Sequence, residues 1–366
     1  MKTYLVQDYV NAVEAIAPFS LAESWDNPGL LVGSGHQSVR RALVALDATP
    51  AVIQEAQDKG ADLIVTHHPI IYEKLGKIPA ESPVYQAIQK GVAILSAHTN
   101  LDTAKGGVND ALASRLGLTE VSLLEKTRTV FWKKVIVYVP TTHAETVYEA
   151  MTQAGAGRQG NYAGAAFLAP GEGRFIPLEG ANPFLGEVGA LEKAEELRLE
   201  MLVRPECVDA VILAMRKAHP YEEPAYDILD TQAFSTSEGM ARVGYLEQSM
   251  SPDAFAAYVK ERLMVGGVKY VPGTKAIQKV ALCGGSGGSY LARAAAVGAQ
   301  ALVTADVKHG QLLEAARLGI TLVDAGHYAT ESVVLPVLLK QLQKALPDAD
   351  IQMAASCADP AKYLAG

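Results

Sequence analysis

The chain has 366 residues, 49% of them hydrophobic and 20% charged, with a formal charge of −8 at pH 7. That length and apolar content allow large buried cores in roughly two or three domains. No apolar run nears the roughly 18 residues of a membrane span. No cluster of lysines and arginines offers a surface for nucleic-acid phosphates, and the three cysteines, Cys207, Cys283 and Cys357, lie too far apart for a disulfide framework or a thiolate zinc site. The expectation is a cytoplasmic protein with reduced, mostly buried thiols and neither membrane nor nucleic acid as partner.

Val6, Val10, Val13 and Ile16 follow helical spacing and predict an amphipathic helix to Ala17, stopped by Pro18. The stretch Trp25-Asp26-Asn27-Pro28-Gly29 reads as ordinary turn chemistry feeding a short strand to Gly33. An αβ unit follows: strand Ala42 to Leu46, helix Thr49 to Lys59, Gly60 as its stop, and strand Leu63 to Thr66. The branched residues of that last strand favour the middle of a sheet. His67 and His68 therefore fall at its carboxyl end, where open α/β sheets bind ligands. Pro69 ends the pleat, so both imidazoles can face one cavity. A further strand, Val92 to Ser96, runs into His98-Thr99-Asn100-Leu101-Asp102.

Residues 127–236 differ in character. Strand Val135 to Val139, helix Ala144 to Ala154, the alternating strand Leu197 to Val203, helix Pro205 to Ala218 and strand Ala225 to Leu229 give the split βαβ order of a ferredoxin-like insert. Within it, Gly171 to Pro177 and Gly186 to Gly189 read as a hairpin in preference to a ligand loop. Beyond the insert the earlier grammar returns: strand Val280 to Cys283, a glycine turn Gly284 to Ser289, helix Tyr290 to Val297, and a strand within Gly298 to Asp306. Gly60-Ala61-x-x-Ile64-Val65-Thr66 matches Gly298-Ala299-x-x-Leu302-Val303-Thr304, as an internal duplication does. The fold class predicted is α/β, with two related halves forming one discontinuous domain around an inserted α+β domain.

Histidines and carboxylates recur at the strand ends: His67 and His68, His98 and Asp102, Asp306 and His309, Asp324, and His327 with Glu331 one helical turn on. Imidazole with carboxylate suits zinc, manganese, iron or nickel. Three histidines and two carboxylates exceed what one catalytic ion takes from protein. They suffice for two ions sharing a bridging carboxylate and a water activated as a nucleophile. The turn Cys283 to Ser289 serves equally as an anion cradle or as a tight structural turn.

Taken together, Trp25-Asp26-Asn27-Pro28-Gly29-Leu30, Thr66-His67-His68-Pro69, His98 to Asp102, Gly284-Gly285-Ser286-Gly287 and Asp324 to Glu331 resemble one family in order and at both ends of the chain. It is the dinuclear-metal-centre, toroidal-hexamer proteins named GTP cyclohydrolase 1 type 2 homologues, or NIF3-like. The resemblance covers residues 1–126 and 237–366, and implies two divalent metal ions on His67, His68, Asp102, His327 and Glu331. It further implies a homohexamer and a PII/CutA-like insert at 127–236, marked by Gly173-Arg174-Phe175-Ile176-Pro177 and Asn182-Pro183-Phe184-Leu185-Gly186. In Thr304-Ala305-Asp306-Val307-Lys308-His309-Gly310 the chain departs from the family, with Ala305 for a usual glycine and Gly310 for a common histidine. Asp306 and His309 are accordingly expected as pocket-lining residues, with His98, Gly285, Ser286 and Gly287. The implied activity is hydrolysis by a metal-activated water, on GTP or another nucleotide, a phosphoester or a cyclic amide. The alternative is a non-catalytic ring-shaped metal-binding or regulatory protein with the insert as sensor or lid.

Overall fold

The computed structural model describes residues 3–364 and divides into two compact units, one of residues to Thr127 joined with those from Glu238, the other Arg128–Ser237. Besides a short antiparallel pair of Tyr4–Leu5 with Ser38–Val39, the described residues of the discontinuous unit form two larger sheets. In the first, strands Asp350–Met353, Arg41–Ala45, Leu63–Thr66, Ala93–Ser96 and Gly29–Val32 lie side by side in that order, all parallel except the last. In the second the order is Lys269–Val271, Thr321–Asp324, Ala301–Thr304, Ile277–Leu282, Arg242–Met250 and Thr119–Leu123, with Thr321–Asp324, Ala301–Thr304 and Ile277–Leu282 as its parallel core.

The central strands Leu63–Thr66, Ala93–Ser96 and Ala301–Thr304 are fully buried because they are covered on both faces. Leu63 and Val65 face one cluster with Val44 and Leu95, while Ile64 faces another with Leu43 and Ile94. A fully buried side chain of this kind contributes roughly 1.5–3 kcal/mol relative to exposure, which is why continuous apolar runs select these positions. Helix Val108–Arg115 joins the sheets into one body: Val108 packs into the first core and Leu112 and Ala113 into the second.

Local signals act where the sequence places them. Thr49 caps helix Pro50–Asp58 by accepting a hydrogen bond from the Val52 amide at 3.3 Å, and Gly60 adopts φ +63° just beyond it. The first helix spans Val6–Ile16, and its buried face is Val6, Tyr9, Ala12 and Val13, with Val10 and Ile16 on the flanks. The cysteines are free, but only Cys283 is buried; Cys207 and Cys357 are half-buried. No helix among the described residues is long and apolar enough to cross a membrane.

The second unit is a four-stranded sheet, in the order Tyr226–Glu238, Arg128–Pro140, Glu192–Val203, Ala166–Phe175, with helices Ala144–Gln153 and Val208–Ala218. Along the chain this is strand, helix, strand, strand, helix, strand, the split βαβ arrangement. Val135, Val137, Val139, Leu199, Met201 and Val203 pack with Val147, Met151, Val211 and Met215 of the helices. Gly171 to Phe175 lie inside a ten-residue strand, paired antiparallel with Glu192–Met201.

Candidate metal centre

His67 and His68 follow strand Leu63–Thr66 directly, and the strand ends hold them in place. The His67 amide donates to Ala45 O at 3.2 Å and the His68 amide to Leu46 O at 2.9 Å. Ser96 Oγ donates to His67 O and Thr66 Oγ1 to His68 O. Helix Thr99–Thr103, beginning after strand Ala93–Ser96, brings in Asp102; helix His327–Glu331, beginning after strand Thr321–Asp324, brings in both of its ends. The carboxyl ends of both parallel cores thus supply one cluster.

Glu331 Oε2 lies 2.9 Å from His68 Nε2, 3.0 Å from His327 Nε2 and 3.8 Å from His67 Nε2, and Asp102 Oδ1 lies 3.6 Å from His67 Nε2. Three overlapping groups each place three ligand-type atoms within 4.8 Å of one another: His67, His68 and His98; His68, His327 and Glu331; His67, Asp102 and Glu331.

Every histidine of the cluster has its other ring nitrogen engaged. Nδ1 contacts Ala97 O at 2.8 Å in His67, Asp47 Oδ1 at 2.7 Å in His68, Asp26 Oδ1 at 2.7 Å in His98 and Asp306 Oδ2 at 2.6 Å in His327. With Nδ1–H donating outward, the Nε2 lone pair faces the centre of the cluster, the orientation that metal-ligating imidazoles take.

The electrostatics show what this geometry lacks. Burial would lower His68, but the hydrogen bonds it donates to Asp47 and Glu331 overcome it and push it up to about 10. The Glu331 contact likewise raises His327 to about 9. His67, wholly buried, is lowered to about 4 by desolvation and stays neutral. Asp102 is pushed well above the carboxylate range by burial and then by Glu331. Burial alone would also raise Glu331, yet His327 and His68 hold it below that range. Protons are here filling a demand for positive charge. His67 Nε2 and Asp102 Oδ1 remain buried without any hydrogen-bond partner, a costly arrangement in a protein interior. A cation between these donors satisfies both, so the residues present fit divalent metal.

A family model described as Duf34/NIF3 (NGG1p interacting factor 3) matches residues 4–361. The chain belongs to this family. It is 41% identical over 353 residues to a Halalkalibacterium halodurans protein named GTP cyclohydrolase 1 type 2 homolog, covering 95% of each chain. It is 42% identical over 328 residues to a Bacillus subtilis protein of the same name, covering 88% of each. The crystal structure of a Bacillus cereus protein related to NIF3 matches over 100% of both chains with TM-score 0.92 and 37% identity.

In this NIF3-family chain the remaining expected site residues divide. His98 lies in the cluster itself, its ring centroid 5.3 Å from that of His67 and 5.6 Å from that of His68. Asp306, at a left-handed φ of +53°, orients His327. His309 is exposed at the start of helix His309–Leu318 and belongs to none of the ligand groups among the described residues. Asp324 accepts from the amides of Val307 and Gly326 and pairs with Lys269, which makes it a turn-fixing residue.

The glycine turn is structural where it is buried. Its amides are engaged by side chains: Gly284 by Asn109 Oδ1 at 2.7 Å, Gly285 by Thr330 Oγ1 at 3.0 Å and Gly287 by Thr304 Oγ1 at 2.8 Å. A Cβ on Gly285 would come within 2.1 Å of Glu331 Oε1, so this glycine lets the backbone lie against the carboxylate. Gly287 packs behind, against Cys283, and Ser286 is exposed.

Two contributors escape a reading of the residues alone. Asp26, in a stretch that reads as a simple turn, has a fully buried carboxylate that receives hydrogen bonds from His98, Thr99 N and Thr99 Oγ1; burial raises it, these bonds prevail, and it drops to about 2. Asp47, just past strand Arg41–Ala45, carries no ligand spacing at all.

Proposed function

We propose that this chain is a metal-dependent hydrolase whose centre takes two divalent cations, held by His67, His68, Asp102, His327 and Glu331 with His98 beside them. One observation carries the reading. Glu331 Oε2 faces three imidazole nitrogens and belongs to two of the three ligand groups, the position of a carboxylate shared by two ions. The imidazole and carboxylate set suits zinc, manganese, iron or nickel. Ions bound there lower the pKa of water and polarise the oxygen of a scissile bond.

The chain's own part is orientation and access. Asp26, Asp47, Asp306 and the Ala97 carbonyl hold the four rings with Nε2 inward. Buried His67 and Asp102 close the inner end, while His327, with a side chain 39% exposed, leaves the outer end open. Exposed Trp25 and Tyr72 have ring centroids 6.1 Å apart, each 6.2 Å from that of His98, and offer faces on which a planar heterocycle stacks. That suits the purine in the name of the relatives. The engaged amides of Gly284, Gly285 and Gly287 make the buried part of the turn a support for Glu331. The resemblance extends the proposal to a homohexameric ring with a PII/CutA-like inserted module, for which native mass spectrometry should find six copies.

Metal analysis of the purified full chain should find about two divalent ions per subunit. Mass spectrometry of GTP, other nucleotides, phosphodiesters and cyclic amides should find turnover of at least one class, absent from His68→Ala. Full occupancy without turnover would leave a metal-binding regulatory protein, and a chain that retains no divalent metal would end both readings.

A further inference from the structure

The inserted unit contains a cavity of about 500 Å³ that the metal chemistry does not use. Its floor is the sheet face opposite the helices. On strand Glu192–Val203, Leu199, Met201 and Val203 point into the helix-covered core, so Glu196 points the other way. It is nevertheless only 8% exposed. The cover comes from the loop after Phe175 and from the turn His219 to Glu223, both of which line the cavity.

Glu196 is held but not neutralised. Tyr221 OH donates to Glu196 Oε1 at 2.9 Å, and burial, then Glu196, push the phenol up so that it remains a donor. The turn is fixed from behind, with His219 Nε2 donating to Tyr138 O at 3.0 Å and its Nδ1 accepting from the Tyr221 amide at 3.1 Å. Glu196 Oε2 lies against Gly173, where a Cβ would approach to 2.3 Å, which explains a glycine in mid-strand. Among the described residues no lysine or arginine pairs with Glu196. Three further carboxylates, Glu172, Glu222 and Glu223, line the cavity, and Arg174, the one cation among the described lining residues, pairs with Glu172 at 2.6 Å. The other walls are aromatic: the ring centroids of Phe175 and Phe184 lie 5.7 Å and 6.3 Å from that of Tyr221.

We propose that this cavity binds a small organic cation, an ammonium or guanidinium on a compact apolar body, with its charge on Glu196 and its body among Phe175, Phe184 and Tyr221. A carboxylate taken out of water and given one phenolic donor has acceptor capacity to spare, and a cationic donor fills it. Aromatic faces add attraction for the same charge. An anionic nucleotide would meet three unpaired carboxylates, and a hard metal ion would find one buried carboxylate among apolar rings where it needs several oxygens.

Calorimetric titration of the metal-loaded full chain with benzylammonium tests this, with benzyl alcohol as the neutral isostere. Saturable binding at least tenfold tighter for the cation is expected. Glu196→Gln, which keeps an acceptor for Tyr221, should weaken it about tenfold while leaving the circular dichroism and melting temperature unchanged. Phe184→Ala, on the covering loop, should weaken it several-fold, and His68→Ala should not alter it. Equal affinity for alcohol and ammonium, undiminished binding by Glu196→Gln, no saturation at millimolar cation, or loss of binding in His68→Ala would each overturn the proposal.

Discussion

The two halves of the discontinuous unit share a frame and divide its work. Strand pairing sets Ala42 beside Leu63 and Leu63 beside Ala93 in the first half, as it sets Val280 beside Ala301 and Ala301 beside Thr321 in the second. Past the third strand the second half carries one extra residue, so His98 and Asp102 match His327 and Glu331 with a shift of one, each pair four residues apart at a helix start. The middle strands have diverged. After Thr66 come His67 and His68, whereas after Thr304 come Ala305 and Asp306, so the second half places a carboxylate that orients His327 where the first places an imidazole that faces the centre. The first strands have diverged in the opposite sense, with Asp47 orienting His68 at the register of Gly285, which only makes room for Glu331. A duplicated frame thus keeps the helix-borne pair on both sides and apportions the other positions between donors and their supports.

The largest test of this division is Glu331→Gln against Asp102→Asn, the carboxylates that close the two helix-borne pairs but differ in role. Glu331 touches His68, His327 and His67, whereas Asp102 meets only His67 within ion-pair distance. Metal analysis should show Glu331→Gln losing more than the roughly 10–100-fold in affinity that an outer-shell change costs, and Asp102→Asn losing less than Glu331→Gln. Equal losses would mean the halves contribute symmetrically. The supports come next: Asp26→Asn and Asp306→Asn should each weaken metal binding about 10–100-fold by releasing a ring. Asp26, fully buried, should sit at the high end, and Asp306, with a side chain 52% exposed, at the low end. A reversed order, read by competition with a chelator, would contradict the claim that burial gives the support its strength.

Much of this frame is written in local signals. Branched apolar runs mark Leu63–Thr66 and Ala301–Thr304, Gly60 and Gly298 mark the helix stops, and the four-residue step from His327 to Glu331 marks one face of a helix. His98 and Asp102 carry that same step, so the place of His98 in the cluster was open to the same argument. The carboxylate supports were not open to it. Asp26 meets His98 across 72 residues of sequence and Asp47 meets His68 across 21, and no periodicity encodes a tertiary hydrogen bond. Strand Ala166–Phe175 is hidden for another reason. Pro170, Gly171 and Gly173 lower its strand propensity, and the glycine at 173 answers to Glu196, a contact visible only once the sheet has formed.

Glycine substitutions sharpen the contrast at the next level down. Gly285 and Gly298 both adopt left-handed φ, +60° and +79°, but only the first faces an obstacle. Gly298→Ala should cost about 1 kcal/mol in thermal unfolding and leave metal content intact. Gly285→Ala incurs the same backbone strain and also pushes on Glu331, so metal content should fall as well. Unchanged occupancy in Gly285→Ala would show that Glu331 can move without loosening the centre.

The outer helices set a held charge against a screened one, at Glu55 and its register equivalent Arg293, where the smallest effect of all is expected. Glu55 accepts from Lys59 Nζ, Ser356 and the amides of Ala355 and Ser356; burial raises its pKa, but these bonds dominate and take it from 4.5 to about 2. The folded value lies below the unfolded one, so the stabilisation is complete above pH 4.5 and fades as pH falls from there toward 2. Glu55→Gln should cost about 2 kcal/mol at pH 7, the worth of hydrogen bonds to a charged group, and progressively less in acid. Arg293 meets Glu125 at 3.9 Å with both side chains more than 40% exposed. Arg293→Ala should shift stability by less than about 0.5 kcal/mol at any pH, since water screens such a pair. Denaturant titrations of both variants at pH 7 and pH 3 measure the difference, and a Glu55→Gln cost that did not shrink in acid would place its value in packing instead of charge.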